Sequence, residues 1–172
     1  MTIQLVRRDP NGRADGNSPA AGEVGEYLSA SMGAVATDTT TANTDIDVTQ
    51  LSLPVSAGLW LIGYHSHANV NNTSGSPATI YGRLRITTAA NVAVANTESM
   101  FGSTLVPATS GTTNFSVSRQ TVISINTPTT YKVRVACNVS NTTGFVEVDG
   151  TSLTGGFTDP DNSSTLWALR IG

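Results

Sequence analysis

From residue 34 onward the chain is written in short runs of alternating apolar and polar residues, separated by Gly, Pro, Asn and Ser/Thr clusters. A period of two sends successive side chains to opposite faces of a pleated strand, and Thr and Val favour that surface over a helix. Tyr131, Val133, Val135, Cys137 and Val139 alternate with Lys132, Arg134, Ala136 and Asn138, and Ile80, Leu84 and Ile86 alternate with Tyr81, Arg83 and Arg85. Both segments read as half-buried antiparallel strands. In residues 46–53 the alternation of Ile46 and Val48 slips to Leu51 and Leu53, which predicts a bulge, and Pro54 is expected to end that strand. Phe115 with Val117, residues 122–125, and Val146 with Val148 add shorter strands.

Two segments are apolar at consecutive positions: Leu59-Trp60-Leu61-Ile62-Gly63-Tyr64, and Leu166-Trp167-Ala168-Leu169 with Ile171 after Arg170. Consecutive apolar residues on a strand imply that both of its faces are covered. About eight strands with no helical period between them predict an all-β fold, an antiparallel two-sheet jelly-roll sandwich spanning residues 34–172.

Residues 1–33 differ. They are rich in turn chemistry (Asp9-Pro10-Asn11-Gly12, Asp15-Gly16-Asn17-Ser18-Pro19) and read as an extended N-terminal arm. A helix over residues 23–32 is discouraged by Gly22, Gly25 and Gly33.

A sandwich wets the outer face of each sheet, so strands that are apolar on both sides need a second cover. Self-association supplies it if Leu59, Trp60, Leu61, Trp167, Leu169 and Ile171 meet their counterparts in other copies. Loops or the arm are the alternative cover, and pattern alone does not distinguish a threefold from a twofold axis.

Composition narrows the partners. Only 12% of the 172 residues are charged, the net charge is −3, and Lys132 is the single lysine. No basic stripe is visible in the sequence, so nucleic acid is not expected as a partner. No apolar run reaches membrane-spanning length, and the short apolar N-terminus, with its charges after it, predicts no secretory signal. Without such a route the Asn-x-Thr sequons carry no glycosylation claim. Cys137 is the only cysteine and reads as a small core residue.

No cofactor, metal or catalytic residue is expected. The chain has no Gly-x-Ser-x-Gly elbow, no His-Glu-x-x-His and no phosphate loop. His65 and His67 lie two apart on a strand, a spacing compatible with a metal, but no nearby Cys or carboxylate completes a set. Three copies around a threefold axis could supply the missing ligands, but the pair reads first as surface or interface residues. Asp45-Ile46-Asp47 and Asp159-Pro160-Asp161-Asn162 offer oxygens of the kind calcium uses without fitting its loop pattern. Tyr81, beside Arg83 and Arg85, is the outward aromatic suited to a ligand such as a glycan.

Residues 48–63, Val-Thr-Gln-Leu-Ser-Leu-Pro-Val-Ser-Ala-Gly-Leu-Trp-Leu-Ile-Gly, resemble a segment recurrent in phage tail-fibre, head-fibre and decoration proteins. Gly25-Glu26-Tyr27-Leu28 and the closing Leu166-Trp167-Ala168-Leu169-Arg170-Ile171 are similar to the first and last strands of those proteins, although a doubled arginine usual near the end is missing. The resemblance implies a homotrimeric jelly roll like that of tumour necrosis factor, located in a virion. Because no repetitive shaft precedes the jelly roll, a capsid decoration, cement or short head-fibre protein on the capsid exterior is expected. Its arm, through Arg7, Arg8, Arg13 and Tyr27, is expected to contact the major capsid protein. The alternative is a receptor-binding tip of a tail fibre or baseplate that reads host surface glycans. A secreted C1q-like adhesin is disfavoured by the absence of a signal peptide.

Overall fold

The computed structural model describes residues 21–33, 37–39, 42–73, 76–105, 111–140, 143–149 and 164–172, together with the backbone at 152–153 and 157–158. Its strands are β1 (Tyr27–Ser31), β2 (Thr37–Thr39), β3 (Ile46–Val55), β4 (Gly58–Asn72), β5 (Ala78–Thr88), β6 (Ser99–Leu105), β7 (Gly111–Ile125), β8 (Thr129–Val139), β9 (Gly144–Asp149), β10 (Ser152–Leu153), β11 (Phe157–Thr158) and β12 (Thr165–Arg170). β10 and β11 pair only with each other. The others form two antiparallel sheets.

The small sheet has the order β3-β8-β5-β6, and the large sheet runs β1-β12-β4-β9-β2 with β7 on the other flank of β4. The chain therefore passes from small sheet to large at β3–β4, returns for β5 and β6, crosses for β7, returns for β8, and finishes in the large sheet. That alternation is the winding of a jelly roll. Between the sheets, Trp60, Ile62, Tyr64, Ile80, Leu84, Ile86, Val133, Val135 and Leu166 are fully buried. Cys137 lies in the same core, as its alternation predicts, with the Thr39 hydroxyl 3.8 Å from its sulfur.

The slip in β3 is real: register shifts between Asp47 and Ser52, and Gln50 takes a positive φ of 69°. Pro54 does not end the strand, which continues to Val55. β3 is an edge strand, and an edge is where a residue without an N–H is tolerated. The two short strands expected around Val117 and Val122 are one 15-residue strand, β7, paired with β4 along its whole length. Residues 27–31, placed by the sequence in the arm, form no helix but a strand of the large sheet, paired with β12.

The largest correction concerns Trp60. It is 0% exposed and points into the core, so it is not an interface residue. Its indole N–H donates to the Ser56 carbonyl at 3.0 Å, and the Arg170 guanidinium lies 5.5 Å above the ring centroid while also donating to Ser56 Oγ. Gly58, with a φ of 148°, makes room for that guanidinium, since a Cβ there would fall 2.7 Å from it. Arg170 thus closes one end of the sandwich over Trp60, and the backbone beyond it is stitched to β4 by Ile171 N donating to Leu59 O and Leu59 N donating to Gly172 O.

Candidate functional site

The outer face of the large sheet carries an apolar row. Leu61 on β4 stands opposite Val122 on β7 and Leu169 on β12, and Leu169 stands opposite Tyr27 on β1. Directly opposed residues share a face, so Tyr27, Leu169, Leu61 and Val122 cross four strands side by side. Tyr27 is 58% exposed, Val122 54%, and Leu59 and Ile171, paired in the adjacent row beside Leu61 and Leu169, 39% each. Leu61, Leu169 and Trp167 are half-buried.

The sequence reading named Leu59, Trp60, Leu61, Trp167, Leu169 and Ile171 as a contact between copies; the fold places all but the buried Trp60 on the outer side of the large sheet. It missed Val122, and it put Tyr27 in the arm rather than in this row. Both are exposed apolar residues from strands whose own patterns gave no outer face. Arg7, Arg8 and Arg13 lie outside the described residues.

The next row is Ser29, Trp167, Gly63 and Gln120. Gly63 is required there by packing, because a Cβ would lie 2.6 Å from the Trp167 ring. Beside that ring opens a recess of about 410 Å³ lined by Tyr64, His65, Ser118, Arg119, Gln120 and Trp167.

His65 and His67 follow on β4, where its flanking neighbour changes. Residues 60–65 pair with β12, whereas residues 67–72 pair with β9. At the fork, the buried Ser164 hydroxyl accepts the His67 backbone N–H at 3.0 Å and contacts the buried Ser66 hydroxyl at 3.1 Å. The strand carrying both imidazoles is therefore held from behind. Their Nε2 atoms are 3.3 Å apart, with the rings nearly perpendicular at 83°. Burial, followed by the neighbouring His67, lowers the pKa of His65 below the ordinary imidazole value.

The outer face of the small sheet is chemically opposite. Asp45 pairs with Arg83 at 2.9 Å and with Arg85, and its carbonyl accepts from Arg134. Asp47 pairs with Lys132 at 2.7 Å and with Arg134 at 2.9 Å. The cations that are scattered in sequence form one stripe, neutralised by these carboxylates and by Glu98, which approaches both Arg83 and Arg85 at 3.8 Å.

Arg83 and Arg85, expected beside Tyr81 as ligand-facing residues, stand in ion pairs with Asp45, and Asp45 and Asp47 hold side-chain cations. Tyr81 remains 50% exposed, at the edge of a hollow of about 100 Å³ that it shares with Asn43, Met100 and Asn138. Asp159 to Asn162 fall outside the described residues.

Burial alone pushes the Asp45 carboxyl up, but hydrogen bonds and charge from Arg83 and Arg85 outweigh it and hold the group below the ordinary carboxylate value. A depressed folded pKa stabilises the fold fully above the unfolded value, about 4, and that stability is lost as pH falls through the lower folded value. Asp45→Asn is expected to cost about 1–3 kcal/mol at pH 7, because two partly buried guanidinium groups lose their counter-charge and one of them faces an amide NH2 in place of its acceptor oxygen. Urea titrations from pH 7 to pH 3 should show the gap between wild type and variant closing on the acid side.

No family model matches the chain, and no curated protein is significantly similar to it. Among solved structures, the T13 particle of infectious bursal disease virus aligns at a TM-score of 0.35 and 14% identity over 87% of this chain and 36% of that chain. T=1 particles derived from the same virus give 0.37 and 15% over 86% and 36%. Its VP2 subviral particle gives 0.36 and 15% over 86% and 38%. The chain thus spans less than two fifths of those proteins, and likeness at this level identifies neither a family nor a function.

Proposed function

We propose that this chain is a non-enzymatic structural protein of a bacteriophage virion, displayed on the capsid exterior as a homotrimeric decoration, cement or short head-fibre protein. The observation that carries the reading is the apolar row Tyr27-Leu169-Leu61-Val122 with Leu59 and Ile171 beside it. A contiguous apolar strip on the outside of a sheet marks an association surface. Sister copies in a closed ring cover it without leaving an open filament.

The threefold arrangement comes from the resemblance to phage jelly-roll proteins. Its first and last segments, together with the part of residues 48–63 that forms β4, become neighbours in the large sheet, as β1, β12 and β4. Arg7, Arg8 and Arg13 supply cations for acidic groups of the major capsid protein. Several such contacts per trimer bridge adjacent capsomers, and each must break before the shell expands or bursts.

Light scattering on the purified chain is expected to give three times the 17.8 kDa chain mass. Deleting residues 2–20 should leave a trimer, at three times the mass of the shortened chain, and abolish co-sedimentation with capsids of the encoding phage. Capsid binding by the truncated chain, or a monomeric full chain, overturns the reading.

Glycan recognition at a tail tip is the second reading, favoured by Tyr81 and the amides of Asn43 and Asn138 around the hollow on the small sheet. Binding of the full chain to host cells, lost in Tyr81→Ala, would select it.

A further inference from the structure

We propose that His65 and His67 form a bidentate site for a divalent transition-metal ion of the zinc class. Two imidazole nitrogens, each about 2.0–2.1 Å from a tetrahedral ion, stand about 3.3–3.4 Å apart. The two Nε2 atoms are 3.3 Å apart. The i, i+2 spacing on a strand puts both rings on one face, and the backbone between them is fixed by the Ser164 hydroxyl at the fork. The pair therefore needs little reorganisation to chelate.

Nitrogen donors select zinc, copper, nickel or cobalt over calcium and magnesium, which prefer oxygen. Among the described residues no third His, Cys, Asp or Glu joins the two, so water fills the remaining positions, with the recess beside His65 giving it room. Arg119, the cation lining that recess, has its Nε bonded to the Glu98 carbonyl at 3.3 Å. Both ligands come from one chain, so the site stands independently of the oligomeric reading.

The same distance also suits a simple N–H···N hydrogen bond, and the experiment separates the two. Full-length protein without a polyhistidine tag, stripped with EDTA and dialysed, is titrated with zinc chloride by calorimetry and with cobalt chloride by visible absorption. The expected result is one saturable zinc site per chain and the intense visible bands of tetrahedral cobalt, with no response to magnesium or calcium. His65→Gln and His67→Gln should each weaken zinc binding by at least about tenfold. Their circular dichroism and melting in EDTA should match wild type, since both rings lie on the outer face. Absence of saturable binding in wild type, or binding that survives in both variants, overturns the proposal and leaves a hydrogen-bonded pair.

Discussion

Leu61→Glu is expected to convert the proposed trimer into a folded monomer. Leu61 sits at the middle of the apolar row, on the central strand β4, between Leu169 and Val122. In an isolated chain the glutamate points outward into water and the sandwich keeps its core. In a closed ring each copy buries one uncompensated carboxylate, at a cost of about 3 kcal/mol or more. That is on the order of a hundredfold in association per subunit. Light scattering should report the single-chain mass, with melting within a few degrees of the dissociated wild type. Val92→Glu is the control, since Val92 is 62% exposed but lies in the turn after β5, away from the row. If Leu61→Glu assembled like wild type, the row would not be the contact.

Trp60→Ala is expected to cost about 3–5 kcal/mol, the usual penalty for emptying the space of a large buried aromatic. Here the loss includes the indole hydrogen bond to Ser56 and the ring face beneath Arg170, whose charge would then overhang a cavity. With the stability of a domain typically 5–15 kcal/mol, the variant should be marginal at 37 °C. Trp167→Ala is the informative contrast. Its side chain lies half-buried on the outer face, so that variant should keep most of its resistance to urea and lose assembly instead. The chain has two tryptophans, so each variant leaves a single indole whose fluorescence reports unfolding without deconvolution.

These two tryptophans also mark where sequence reading stops. On β5 and β8 the alternation named the core face correctly, because polar residues held most of the outward positions, Ala136 being the exception. On β4, Leu59 to Ile62 are apolar without a break, so period gives no sign of which parity is inside. The packing gives the even positions to the core: Trp60, Ile62 and Tyr64 are buried while Leu59 and Leu61 are not. On β12 the charged Arg170 shares the parity of the buried Leu166 and Ala168, an exception that only its place at the end of the sandwich explains.

β7 was illegible for a different reason. Ser118-Arg119-Gln120-Thr121 has no apolar position to mark a core face, yet it pairs with the middle of β4 as an edge. The stripe of ion pairs was equally hidden, because Asp45 meets Arg83 and Arg85 across 38 and 40 residues of sequence. The proximity of His65 and His67 was legible as spacing. The convergence of their Nε2 atoms was not.

The position of β12 between β1 and β4 bears on biosynthesis. Among the described strands it is the last to leave the ribosome, yet two much earlier strands meet only through it. Until residues 165–170 emerge, β1 has no partner along that edge and the outer strip lacks Leu169. Until β12 is in place, therefore, the four-strand apolar row is incomplete and its two halves are not joined. Such late, long-range closure, joining β12 to strands more than 90 residues earlier in the chain, is a slow step in folding.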